Sequence, residues 1–295
     1  MVVGSVALDT VKTPLGRGKE VLGGSATYFS ISASFFNPVN LVAVVGSDFP
    51  SRHLQTLKKQ GVDLGGLLVE KGKTFRWDGE YGWDFADPKT LSTCLNVFSK
   101  FNPQIPREYK KSKYLFLANI DPQIQEKVLK QVNPKLVACD TMNYWIQNKR
   151  NHLLRLLNKV DIFLLNESEL RLLTHQNSIV KAAKELTRLG PEIVIVKKGE
   201  HGSLLFCDRY MFSIPAFLLE SVVDPTGAGD TFAGGVIGYL AQCNKFTPLN
   251  FKRALVYGAV MATFAVEDFS VKRLLAINRR DINRRFKQFQ ALSCF

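Results

Sequence analysis

Between residues 224 and 235 the chain reads Asp224-Pro225-Thr226-Gly227-Ala228-Gly229-Asp230-Thr231-Phe232-Ala233-Gly234-Gly235, followed by an apolar pattern at Val236, Ile237 and Leu240. This describes a glycine loop that opens a helix. Small residues at Gly227, Ala228 and Gly229 let the backbone come close to a ligand. Successive N–H groups at a helix N-terminus then offer an anion hole to phosphate oxygens. A carboxylate at Asp230 has no reason to stand beside phosphates unless it has a task. In phosphoryl transfer that task is to orient an acceptor hydroxyl and take its proton, and the helix dipole helps to keep the group ionised. A helix cap after a glycine turn is the competing reading of a lone Gly-x-Gly-Asp; the run of twelve contiguous residues outweighs it.

The P-loop and protein-kinase phosphate cradles are excluded, since neither GxxxxGK[ST] nor the HRD and DFG set occurs. The five cysteines, Cys94, Cys139, Cys207, Cys243 and Cys294, form no C-x-x-C pair, and the four histidines show no ligand spacing. Reduced thiols and no structural metal are expected. A net charge of +13 suits an anionic partner, whether nucleotide phosphate, nucleic acid or an acidic membrane surface. The densest basic group, Arg279, Arg280, Arg284, Arg285 and Lys287, is spaced as the solvated side of a helix that buries Ile282, Phe286 and Phe289. With no zinc-finger, RRM or KH pattern, no nucleic-acid partner is expected. No apolar run reaches the length of a membrane span, and Met1 leads into strand-like sequence without a signal-peptide layout, so no membrane partner and a cytoplasmic location are expected.

The elements that must position these residues follow from periodicity. With 295 residues and 46% hydrophobic content the chain can bury a substantial core, and a single α/β domain over 1–295 is expected. Short apolar runs at Val2 to Leu8, Leu41 to Val45, Tyr114 to Leu117, Leu136 to Cys139, Ile162 to Leu165 and Ile193 to Val196 alternate with helical patterns, as in a mainly parallel sheet. Asp9, Asp48, Asn119, Asp140, Asn166 and Lys197 fall at or just past the ends of these runs, the edge where open α/β sheets bind ligands. Ordinary turn and cap chemistry also places Asn and Asp there. From Thr74 to Phe85 the alternation breaks: Phe75, Trp77, Gly79, Tyr81, Trp83 and Phe85 interleave with Arg76, Asp78, Glu80 and Asp84. That period of two predicts a small separate sheet, with about 10–21 and 70–98 forming a lid. The competing reading packs its aromatic face on the main domain or on a second subunit, a homodimer through the lid.

On these residues the chain resembles the ribokinase, or PfkB, family of carbohydrate and nucleoside kinases, whose C-terminal signature Asp224 to Gly235 is similar to. The resemblance runs from Gly4 to about Ser270 and implies a ribokinase-like, doubly wound, mainly parallel sheet flanked by helices, with a small β-sheet lid. It also implies in-line transfer of phosphate from ATP, with Asp230 as base and Gly227, Ala228 and Gly229 stabilising charge. Gly23-Gly24 resembles the di-glycine element where the lid closes over substrate. Asp9, after Gly4-Ser5, resembles the family's substrate carboxylate, which can accept two hydrogen bonds. Asn166 and Glu169 match the NxxE element that organises magnesium through water, although the same spacing is a capping box. Lys197, Gly199 and Thr226 join Asn166, Gly227 and Gly229 on the ATP side, and Ala254 to Ser270 fits the adenine-pocket wall.

Departures from the family pattern bear on the substrate. Tyr28 stands where many sugar-kinase relatives carry Asn, Asn119 with Asp121 lies where small residues are frequent, and Pro225 replaces Thr or Ser. Some relatives bind K+ beside the anion hole through positions equivalent to Asp224 and Thr226, so the resemblance allows K+ here. Asp9, Asn119 and Asp140 suit a sugar or cyclitol, the preferred acceptor, whereas an aromatic face that stacks on a base suits a nucleoside. A non-catalytic sensor and a nucleic-acid binder are the readings from other classes.

Overall fold

The computed structural model describes residues 1–85 and 87–293, so Cys294, expected as a reduced thiol, and position 86 of the expected lid lie outside the described residues. In chain order the elements begin with β1 (Val2–Val3), β2 (Ala7–Thr13), β3 (Gly16–Gly23), α1 (Ser25–Ser34), β4 (Val39–Gly46), α2 (Ser51–Lys59), β5 (Val62–Glu70), β6 (Phe75–Glu80) and β7 (Lys89–Cys94). Next come β8 (Tyr114–Leu117), α3 (Pro122–Leu129), β9 (Leu136–Asp140), α4 (Asn143–Asn148), α5 (Arg150–Leu157), β10 (Ile162–Asn166), α6 (Glu167–Thr174), α7 (Ile179–Thr187) and β11 (Ile193–Lys197). The last are β12 (Ser203–Phe206), β13 (Met211–Ile214), α8 (Ala228–Cys243), α9 (Pro248–Val266), α10 (Lys272–Ala276) and α11 (Arg279–Ser293). They form two compact units, Met1 with Pro103–Phe217 and Val2–Asn102 with Leu218–Phe295.

In the unit of Pro103–Phe217, β8, β9, β10 and β11 pair in parallel in that order, and β12 and β13 extend the sheet antiparallel. The parallel strands are nearly continuous apolar runs because helices cover both faces of such sheets. Register aligns the strand ends: Asn166 of β10 is the Cα partner of Lys197 of β11. The four runs expected as strands here form where the sequence places them.

In the other unit, β1, β4 and β5 form a parallel set, and β3-β2-β6-β7 form a separate four-stranded sheet. The expected strand Val2 to Leu8 is a correction, because the chain leaves β4 after Val3 and re-enters at Ala7 in the small sheet, where it pairs with both β3 and β6. The cause lies at Ser5, whose polar groups are committed to the start of α1. Its carbonyl accepts from Ala26 N at 3.0 Å, and its hydroxyl accepts from Ser25 N at 3.1 Å and meets Ser25 Oγ at 3.0 Å. Asp9 therefore sits inside a strand of the small sheet and not at the end of a core strand.

The period-two stretch forms β6 only as far as Glu80. Phe75 stacks on Phe98, while Trp77, Tyr81 and Phe85 pack with Val11, Phe269 and Val223 of the same unit. Helices α1, α8 and α9 lie close together because glycines remove side chains from their contacts. A Cβ on Gly234 would stand 2.6 Å from Phe29 O, and one on Gly235 would stand 2.8 Å from Tyr257 O. At α11, Ile282 and Phe289 are buried and Phe286 stacks on Tyr257. Arg285 departs from the expected solvated face: it pairs with Glu267 at 2.7 Å and lies 3.7 Å over the Phe264 ring. Among the described residues no helix is long and apolar enough to cross a membrane.

Candidate active site

Gly227 is the pivot of the glycine loop. Its φ of 74° is left-handed, and a Cβ there would lie 2.3–2.5 Å from the ring of Tyr28. Glycine is thus required for backbone conformation and for contact alike. Helix α8 starts at Ala228 with no side chain capping its N-terminus, and Asp230 is the acidic residue of its first turn. An uncapped helix start led by glycine fits a phosphate group, which its N–H groups and dipole favour.

The loop is anchored by Asp224. Its carboxylate accepts from Thr226 N at 2.9 Å and from Ser270 N at 3.2 Å, and Val223 N donates to Val266 O at 2.7 Å. Burial raises the Asp224 carboxyl, against the lowering effect of those hydrogen bonds. Thr226 Oγ1 donates to the Tyr81 hydroxyl at 3.3 Å, so the loop is tied to the segment after β6. Ser270 Oγ in turn donates to Leu22 O at 2.5 Å. The sequence pattern marks Tyr81 and the segment up to Ser270 without revealing either tie.

Asp9 is seated by the di-glycine. A Cβ on Gly23 would fall 1.9 Å from Asp9 Oδ2, and Gly24 N, at φ 91°, donates to that oxygen at 3.3 Å. The pair thus makes room for a carboxylate. Burial pushes Asp9 up to about 7; the Gly24 hydrogen bond opposes the rise and the charges of Asp224 and Asp230 add to it. Asp9 and Asp230 therefore lie within electrostatic reach of each other in one unit. Asp48 is committed elsewhere, accepting from Thr74 N and Oγ1 at 2.7 Å each and pairing with Arg76 at 2.8 Å.

In the unit of Pro103–Phe217, Asn166 and Glu169 form the reciprocal capping box. Asn166 Oδ1 accepts from Glu169 N and Asn166 N donates to Glu169 Oε2, both at 2.7 Å. Among the described residues no cluster of three His, Cys, Asp or Glu side chains could hold a metal. A magnesium ion at this element would therefore be held through waters, as this ion commonly is. Lys197 Nζ donates to Asp140 Oδ2 at 2.7 Å, a largely buried ion pair, and Asp140 Oδ1 accepts from Thr141 N. Sequence reading placed Asp140 at the sheet edge but missed this pairing, which no local spacing reveals. Gly199 has φ 54° and open space where a side chain would project. Asn119 Oδ1 accepts from Trp145 Nε1 at 2.9 Å, and Asp121 caps α3 by accepting from Gln123 N.

A glycine-led, uncapped helix start with a carboxylate in its first turn suits phosphoryl transfer, and comparison with known proteins gives the class. Residues 2–276 match the pfkB family carbohydrate kinase model, and the chain belongs to that family. It is a kinase of ribokinase-like fold that acts on a small substrate. A cytidine kinase of Thermococcus kodakarensis is 33% identical over 256 residues, 84% of this chain and 90% of its own. A nucleoside kinase of Thermoplasma acidophilum is 25% identical over 276 residues, 92% of this chain and 86% of its own. A solved structure of a putative ribokinase II from E. coli in complex with ATP and Mg2+ has a TM-score of 0.80 at 19% identity, covering 97% of this chain and 98% of that one.

Proposed function

We propose that the chain is a MgATP-dependent nucleoside kinase that phosphorylates a hydroxyl of its acceptor. The observation that carries this reading is the 33% identity to a cytidine kinase, spread over 84% of the chain. It favours the nucleoside over the sugar or cyclitol that the acceptor-side residues first suggest. The aromatic run contributes little, because Trp77, Tyr81 and Phe85 are packed into a cluster of their own unit.

MgATP supplies the phosphoryl group. Asp230, in the first turn of α8, takes the proton of the reacting hydroxyl. The N–H groups at Gly227, Ala228 and Gly229 meet charge that develops on the transferring group. Asp9 accepts hydrogen bonds from other acceptor hydroxyls. Asn166 and Glu169 would hold magnesium through water, where the ion would offset phosphate charge, and Lys197, Gly199 and Thr226 would serve the nucleotide.

The test is ADP release from MgATP across nucleosides, pentoses, hexoses and inositols, with Asp230→Asn in parallel. Turnover on nucleosides that vanishes in the variant supports the reading. Turnover confined to sugars or inositols, or none at all, overturns it.

A further inference from the structure

Tyr28 carries a group that the structure leaves without a protein partner. The residue lies in α1 and is 1% exposed, yet its hydroxyl makes no hydrogen bond. A buried polar group in this condition calls for an explanation, since leaving it unmade costs about 1–3 kcal/mol. Its surroundings supply one. Its ring lies against Gly227 of the anion loop, so the side chain is built into the floor of the phosphate site. Its hydroxyl is within electrostatic reach of Asp224, Asp9, Tyr81 and Asp230. Burial, reinforced by those acidic neighbours, pushes the phenol well above its ordinary value, so it stays a neutral donor at working pH.

From this geometry we infer that the Tyr28 hydroxyl is a specificity-determining ligand of the acceptor substrate, donating to a substrate hydroxyl oxygen beside Asp9. The inference rests on the kinase reading of this site and does not depend on which acceptor class is correct. Asp9 can only accept when ionised, and the backbone N–H groups of the loop are directed at an anion. A donor for the acceptor molecule is the element otherwise lacking among these side chains. An acceptor hydroxyl held there donates to the carboxylate and accepts from the phenol, which satisfies both its functions.

The experiment is Tyr28→Phe, which keeps the ring against Gly227 and removes only the hydroxyl. Steady-state kinetics are measured with cytidine, or with whichever sugar or inositol the wild type turns over instead. The expected result is an acceptor KM raised about tenfold, the loss of one hydrogen bond, with KM for ATP unchanged. Thermal unfolding of the ligand-free variant should be no lower than wild type, because no protein hydrogen bond is removed. An unchanged acceptor KM overturns the inference, and so does a lowered melting temperature, which would reveal a structural partner. Failure of the nucleoside reading appears separately, as wild-type turnover on sugars alone.

Discussion

Replacing Asp9 with asparagine should make the ligand-free protein more stable, by an amount that grows with pH. The carboxyl is buried and rises from 3.8 to about 7 on folding. Below the lower value both states are protonated and the group is neutral with respect to stability. Between the two values the folded state holds a proton that the unfolded chain has released, so stability falls by about 1.4 kcal/mol per pH unit. Above about 7 the loss levels off near 4 kcal/mol, since each unit of displacement is worth 1.36 kcal/mol. The Asp9→Asn side chain is an amide and does not titrate in this range. Urea unfolding of both proteins at pH 5 and pH 8 should therefore show the advantage of Asp9→Asn growing by about 3 kcal/mol between them. The same variant should lose acceptor affinity by one to two orders of magnitude, as expected for a hydrogen bond to a charged group. A stability difference that is the same at both pH values would refute the claim that Asp9 is charged at a burial cost.

Other perturbations test other parts. Asp230→Asn should fold and bind ATP normally while kcat drops by about two or more orders of magnitude; isothermal titration with ATP beside ADP-release kinetics checks both halves. Gly227→Ala has to adopt φ 74° with its Cβ on the Tyr28 ring, and should lower kcat at least tenfold while unfolding at a lower denaturant midpoint. Lys197→Met leaves the Asp140 carboxylate buried without its cation and should cost about 3 kcal/mol in chemical denaturation, partly restored by adding Asp140→Asn.

The glycine loop was legible because its chemistry is contiguous: φ > 0 at Gly227, a helix starting at Ala228 and Asp230 in its first turn all follow from adjacent residues. The core strands of the Pro103–Phe217 unit were legible for a similar reason, as unbroken apolar runs have few alternatives. The two-sheet fate of Val2 to Leu8 was not, because a period of two says which face a residue takes and nothing about which sheet receives it. The break at Gly4-Ser5 was the available signal. Pairings between distant residues were also hidden. Lys197 with Asp140 and Ser270 with Asp224 are 57 and 46 residues apart, and a charge count cannot match such partners. Asn166 and Glu169 show the opposite difficulty, since one spacing serves a helix cap and a magnesium element equally well.

The close seat of α1 against α8 has a consequence for the newly made chain. Ser25 to Ala33 are all buried, and Ser32 reaches its hydrogen-bond partner Thr231 across 199 residues of sequence. At about 5–20 residues per second of synthesis, α1 leaves the ribosome roughly 10–40 s before α8 can cover it. During that interval the face of α1 that carries Tyr28, Phe29 and Ile31 stands open to neighbouring nascent chains. Aggregation during expression is therefore set by how fast the last third of the chain is translated, and slowing or truncating that portion should harm yield more than an equal change in the middle of the chain.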